Sequence, residues 1–309
     1  MSQTLVQSKK SVPKTSSLRH ELHSSLKGHL DFDQAKLERL QAADFASFTA
    51  LWWPDADLEK LEILSYLVIW LFTWDDEIDE PTGTYSEDFE EAQKYRERTL
   101  FFVGHCLGLS DGIKNSKPQN RIVQSFDVIG ASLKASYTTS QCQRFYDEVA
   151  QFMNASEYEQ SGRLNGHIFS LEEYWKFRLG TSAVYIGSAA GEYSASLCIP
   201  AGIMRSPPMQ AIWDETNIMI SITNDLLSLM KEMRLGCIDS VVPLTFMITR
   251  NIPQAISKTI EVLQQSKARF DAASKEVIEQ QCGDDFLRQE VSEFIQVQRS
   301  NCVGNLVWR

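Results

Sequence analysis

Breakers of regular structure are scarce in this chain: 309 residues carry only 15 glycines and 9 prolines. Between them run long stretches rich in Leu, Ile, Glu, Lys and Gln, a composition that favours helix. No strand-like alternation is long enough to build a sheet, and no segment recurs at a fixed period, which excludes β-architectures and solenoids. The six cysteines (Cys106, Cys142, Cys198, Cys237, Cys282 and Cys302) are scattered, with neither a C-x-x-C pair nor a Cys/His cluster at zinc spacing. They read as free thiols of a reducing compartment. A Gly-rich phosphate loop, a G-x-G-x-x-G turn and an H-E-x-x-H helix are all missing, and His20-Glu21-Leu22-His23 has the wrong spacing to set two histidines on one helix face.

Positive charge is also short. The formal net charge of −11, without a Lys/Arg stripe interleaved with aromatics, argues against nucleic acid as a partner. A polyanionic ligand would need metal ions to bridge like charge. No secretory h-region opens the chain, and residues 1–18, polar and basic with Lys9, Lys10, Pro13 and Lys14, read as a disordered N-terminal arm. A cytoplasmic location is expected, which makes the sequon Asn154-Ala155-Ser156 accidental. The longest apolar run, Leu64 to Trp74, is too short to span a bilayer and reads as a buried core helix.

What remains is 43% hydrophobic and 10% aromatic residues, enough for a large core. The expected fold class is all-α: one helical bundle over residues 19–309 around a central apolar pocket. Breaks are expected at Trp53-Pro54, Glu80-Pro81-Thr82-Gly83, Asp111 to Pro118, Ile199-Pro200, Ser206-Pro207-Pro208 and Gly236. Ser170-Leu171-Glu172-Glu173 has the form of a capping box, so a helix should start there and carry Tyr174, Arg178 and Thr181. Another is expected from about Met209 to Leu235.

Two motifs carry chemistry. Directly after the apolar run comes Trp74-Asp75-Asp76-Glu77-Ile78-Asp79-Glu80. If the helix continues, Asp75 and Asp79 share one face, and hard carboxylate ligands at that spacing suit Mg2+. A solvated helix end is the other reading, although the acids sit at the wrong end for the helix dipole. Downstream, Asn224, Ser228 and Glu232 recur every fourth residue and form one oxygen-bearing stripe, with Lys231 beside it able to bond a phosphate oxygen. Amide, hydroxyl and carboxylate together suit a magnesium ion that arrives with its diphosphate. Alternatively, Asn224 and Ser228 satisfy one another in a core.

Taken together, Asp75-Asp76-Glu77-Ile78-Asp79 and the Asn224/Ser228/Glu232 series resemble the D-D-x-x-D/E and N/D-x-x-x-S-x-x-x-E motifs of microbial class I terpene synthases, in order and spacing, over roughly residues 45–309. The resemblance implies Asp75, Asp79, Asn224, Ser228 and Glu232 as ligands of three Mg2+ ions around a prenyl diphosphate. It also implies Arg178, at the family's spacing before Asn224, as the diphosphate-sensing residue, with Lys231 and Thr181 assisting and Ser182 at a helix break near the ionising carbon. Leu71, Phe72, Asn217, Ile220 and Ser221 are candidate pocket walls, and Trp308 a candidate closure. Many members carry an Arg-Tyr pair after a segment like Gly304-Asn305-Leu306-Val307-Trp308; here the given sequence stops at Arg309. The expectation is then that it is truncated or that other groups close the site.

The implied activity is cyclisation of farnesyl diphosphate to a hydrocarbon or alcohol by a monomer or homodimer. The alternatives are a chain-elongating prenyl diphosphate synthase, which would need a second D-D-x-x-D where Asn224 to Glu232 stand, and a non-catalytic helical protein that binds a lipid or partner.

Overall fold

A computed structural model of the chain describes residues 15–20, 22, 34–110, 118–234, 236, 238–281 and 283–308. Regular structure among them is α-helical throughout. They divide into two compact units.

The first unit comprises residues up to 150, 189–198 and 308. It contains α1 (Gln34–Ala42), α2 (Phe45–Trp52), α3 (Leu58–Asp79), α4 (Phe89–Cys106), α5 (Arg121–Gln124), α6 (Phe126–Ser136) and the start of α7 (Thr139–Leu164). Side-chain caps set the starts: Asp44, Asp57 and Asp88 accept from the backbone N–H of Ser47, Lys60 and Glu91. α3 is the spine. Leu61, Leu64, Leu67, Trp70 and Trp74 on it are buried on more than one side, so the helix shows no clean apolar stripe. Trp74 stacks on Tyr95 of α4 at 5.3 Å and donates its indole N–H to Thr99 Oγ1 at 3.0 Å.

The described part of the expected N-terminal arm, residues 15–18, is helical, and Leu18 is fully buried. The reason is apolar spacing: Leu18 and Leu22 lie four apart on one face, and both are buried, Leu22 lining a cleft with Leu40, Phe45 and Ile69. Arg19 pairs with the Asp44 carboxylate, its Nε donating at 2.8 Å. The rest of the arm and the break after Asp111 lie outside the described residues, save for Pro118 and its followers.

The second unit takes residues 151–188 and 199–307. After α7 come α8 (Leu171–Thr181), α9 (Val184–Ala189, its last residue in the first unit), α10 (Gly191–Ala195, wholly in the first unit), α11 (Ala201–Met204), α12 (Pro207–Arg234), α13 (Val241–Thr249), α14 (Ile252–Glu279) and α15 (Asp285–Trp308). α12 and α14 pack along one another, and α13 packs on both α14 and α8. Pro207 and Pro208 open α12 instead of preceding it, because a first-turn residue has no intrahelical acceptor for its N–H. Ser156 of the sequon is buried inside α7, where its hydroxyl donates to Met153 O, while Asn154 is exposed.

Candidate active site

The acid-rich end of α3 sits in the first unit. The helix runs unbroken to Asp79, so Asp75 and Asp79 lie one turn apart on the same face, both half-buried. The chain then folds back over the helix end: Tyr85 N–H donates to Glu77 O at 2.9 Å and Glu80 N–H to Asp76 O at 3.3 Å. Gly83 makes this possible, since a Cβ there would stand 2.4 Å from Asp76 O and 2.6 Å from Glu77 O. Two acids of the cluster are committed to α1, with Lys36 Nζ 3.1 Å from Glu77 Oε1 and Arg39 Nη1 3.1 Å from Glu80 Oε2. Burial and the charge of Glu80 push the Asp76 carboxyl up to about 6.

One turn before these acids, Leu71 is buried and Phe72 is 39% exposed. Phe72 lies 5.1 Å from the Phe45 ring and 6.5 Å from that of Trp308. Trp308 itself is anchored, its indole N–H donating to Ala43 O at 2.9 Å.

In the second unit α12 presents Asn224, Ser228 and Glu232 on one continuous helix, with Lys231 exposed beside them. Ser228 Oγ donates to the Asn224 backbone carbonyl at 2.7 Å, not to its side chain. Mutual satisfaction of the two side chains is therefore not what is found, and the hydroxyl oxygen keeps lone pairs for a ligand. Facing α12, the capping box at Ser170 starts α8 as expected, with Glu173 N–H donating to Ser170 Oγ and Ser170 N–H to the Glu173 carboxylate. α8 carries Arg178, whose Nη2 donates to Asp225 Oδ1 at 3.1 Å. Burial opposes the guanidinium's charge, yet Tyr174 and Asp225 beside it raise its pKa above the ordinary range. Arg178 Nε and Thr181 Oγ1 are buried with no hydrogen-bond partner among the described residues.

α8 ends where the resemblance places a helix break: Ser182 is the C-cap and Ala183 adopts φ 56°. The break is clamped from α12. Ser182 Oγ donates to Asn217 Oδ1 at 2.7 Å, Asn217 Nδ2 donates to Leu179 O at 2.6 Å, and Ser221 Oγ donates to Asn217 Oδ1 at 3.2 Å. Asn217 and Ser221, expected as pocket walls, thus spend their polar groups holding the end of α8. Ile220 is buried beside them, its carbonyl accepting from Asn305 Nδ2 at 3.5 Å.

The second unit therefore brings Arg178, Thr181, Ser182, Asn217, Ile220, Ser221, Asn224, Ser228, Lys231 and Glu232 onto two facing helices. Asp75, Asp79, Leu71, Phe72 and Trp308 belong to the first. Among the described residues no three His, Cys, Asp or Glu side chains converge as a closed metal cage.

Residues 66–265 match the family "Terpene synthase family 2, C-terminal metal binding". The chain belongs to that terpene synthase family. Sesquiterpene cyclase hepA of Aspergillus oryzae is 34% identical over 281 residues, covering 88% of this chain and 76% of that protein. The (+)-eremophilene synthase of Sorangium cellulosum is 24% identical over 277 residues, covering 89% and 80%. Among solved structures, germacradien-4-ol synthase from Streptomyces citricolor superposes with a TM-score of 0.81 at 16% identity over 96% of this chain and 93% of that one. At that identity the likeness bears on the fold, which is the class I terpene synthase helical fold in this terpene synthase too.

Three residues of this terpene synthase's site escaped the motif reading: Asp225, Gly83 and Lys36. The signal for Asp225 was present, since an acid before Leu226 and Leu227 on an apolar helix must be paired. Gly83 falls in the break expected after Glu80, but its close approach to the α3 carbonyls shows only in the fold, and Lys36 acts through a contact 41 positions away that no local pattern announces.

Proposed function

We propose that this enzyme is a Mg2+-dependent sesquiterpene cyclase that ionises farnesyl diphosphate, closes the carbocation to a cyclic hydrocarbon or alcohol and releases inorganic diphosphate. The observation that carries it is the presence of both donor sets, Asp75/Asp79 and Asn224/Ser228/Glu232, in a chain 34% identical to a sesquiterpene cyclase.

The residues fit the metal. Every proposed ligand offers a hard oxygen, as Mg2+ prefers. Burial first, and the charge of Glu80 second, raise the Asp76 carboxyl at the end of α3, and a bound cation would oppose that rise. Bound there, Mg2+ supplies charge neutralisation for the departing diphosphate. Arg178 and Lys231 donate hydrogen bonds to the diphosphate oxygens, a preorganised electrostatic task. Ser182 and the break behind it present backbone dipoles to the developing cation, and Leu71, Phe72 and Ile220 are, each in its own unit, apolar groups that cannot attack one. The aromatic faces of Phe72 and Trp308 add cation–π stabilisation.

Incubation with farnesyl diphosphate and Mg2+, solvent extraction and gas chromatography–mass spectrometry test the proposal. A cyclic C15 product is expected from the wild type and none above background from Asp75→Ala or Glu232→Ala. A longer diphosphate would point to chain elongation. Absence of any product with geranyl, farnesyl and geranylgeranyl diphosphates would overturn the catalytic reading.

A further inference from the structure

Asp225 follows Asn224 in sequence, so it points a helical step, about 100°, away from the proposed ligand stripe. It is 3% exposed. Three donors from two other segments meet its carboxylate: the Tyr174 hydroxyl and Arg178 Nη2 (3.1 Å) from α8, and the backbone N–H of Val241 (2.9 Å) at the start of α13. The surroundings are apolar, with Phe169, Phe177, Val242 and Leu244 in one cluster with Tyr174 and Val241. A buried carboxylate is tolerated only where donors and a counter-charge surround it, and both are supplied here.

We propose that Asp225 is a positioning residue that fixes the guanidinium of Arg178 for the substrate diphosphate and ties that orientation to the connection between α12 and α13. The inference rests on the reading of Arg178 as a diphosphate-binding group. The carboxylate occupies Nη2 and leaves the buried Nε without an acceptor, a donor that a diphosphate oxygen would satisfy. Its negative charge also weakens the pull of Arg178 on an incoming anion. Asp225 therefore contributes alignment, not affinity, and the two are separable: an Asn at this position restores the pull while losing the alignment.

The test is kcat and KM for farnesyl diphosphate with Mg2+, plus the inhibition constant of inorganic pyrophosphate, for wild type, Asp225→Asn, Arg178→Lys and the double variant. Lys keeps the charge but has no fork to align. Asp225→Asn is expected to lower kcat about a hundredfold while KM and the inhibition constant stay within about threefold. The double variant is expected to be no slower than Arg178→Lys alone. Losses that multiply in the double variant, or wild-type kcat in Asp225→Asn, overturn the proposal and leave the function of Arg178 standing. Unchanged kcat and inhibition in Arg178→Lys sink the reading of Arg178 and this inference with it. Should Asp225→Asn not fold, Tyr174→Phe removes one donor from the same carboxylate. Its expected loss, about tenfold in kcat, vanishes in the Arg178→Lys background, and an equal loss in both backgrounds overturns the proposal.

Discussion

The carboxyl of Asp76 titrates near 6 because it is half-buried and shares the end of α3 with Glu80 and Glu77, against a smaller opposing pull from Lys36 and Arg39. With the folded value raised, the fold favours the protonated form. The stability this group lends is present below the ordinary carboxylate value and is lost as the pH rises through about 6. A cation at the neighbouring Asp75 and Asp79 reverses the preference, so proton and metal compete for the same charge. The Mg2+ concentration for half-maximal turnover is therefore expected to be nearly flat above pH 7 and to climb about tenfold per unit below pH 6. Asp76→Asn removes the titrating group and should abolish that climb; a climb of the same size in the variant would place the proton elsewhere.

At the scale of single helices, α8 is positioned by contact as much as by sequence. Its start was legible, because a Ser-x-x-Glu box specifies a helix N-terminus locally, and so was the buried run of α3, whose apolar residues give way abruptly to acids. The clamp of Asn217 on Leu179 and Ser182 was not legible, since it joins residues 35 and 38 positions apart through side chains that look like ordinary core polar groups. The helix over residues 15–18 is hard to read for a related reason: the polar composition of residues 1–18 masks the four-residue spacing of Leu18 and Leu22, both of which are buried. Gly180 is a third such contact. A Cβ built on it stands 2.3 Å from the Ala155 Cβ of α7, so the two helices meet at a distance only glycine permits. Gly180→Ala is expected to destabilise the protein by about 1–3 kcal/mol in denaturant titration and to lower turnover through Arg178 two residues away. Adding Ala155→Gly restores the room and should recover part of both losses, less the cost of a mid-helix glycine, about 1 kcal/mol. No recovery would mean that the contact does not set the approach of the two helices.

The molecule as a whole carries a net charge of −11, which repels the very anion its family acts on. Arg178 is partly neutralised by Asp225, Lys36 and Arg39 are taken by Glu77 and Glu80, and the single charge of Lys231 is a small counterweight. Diphosphate binding must then be linked to divalent cations, and each ligand should be weak without the other. Thermal unfolding reads this linkage directly, because a ligand that binds only the folded chain stabilises it by RT ln(1 + [L]/Kd). Inorganic pyrophosphate without Mg2+, and Mg2+ without pyrophosphate, are expected to shift Tm by about 1 °C or less. Together, at a hundredfold excess over the joint Kd, they should add about 2.7 kcal/mol, a shift of several degrees for a chain of this size. The joint shift is expected to disappear in Asp75→Ala and in Glu232→Ala and to survive in Asp225→Asn, which alters alignment but keeps both donor sets. A full shift from pyrophosphate alone would show that fixed cationic side chains, and not metals, overcome the molecule's charge.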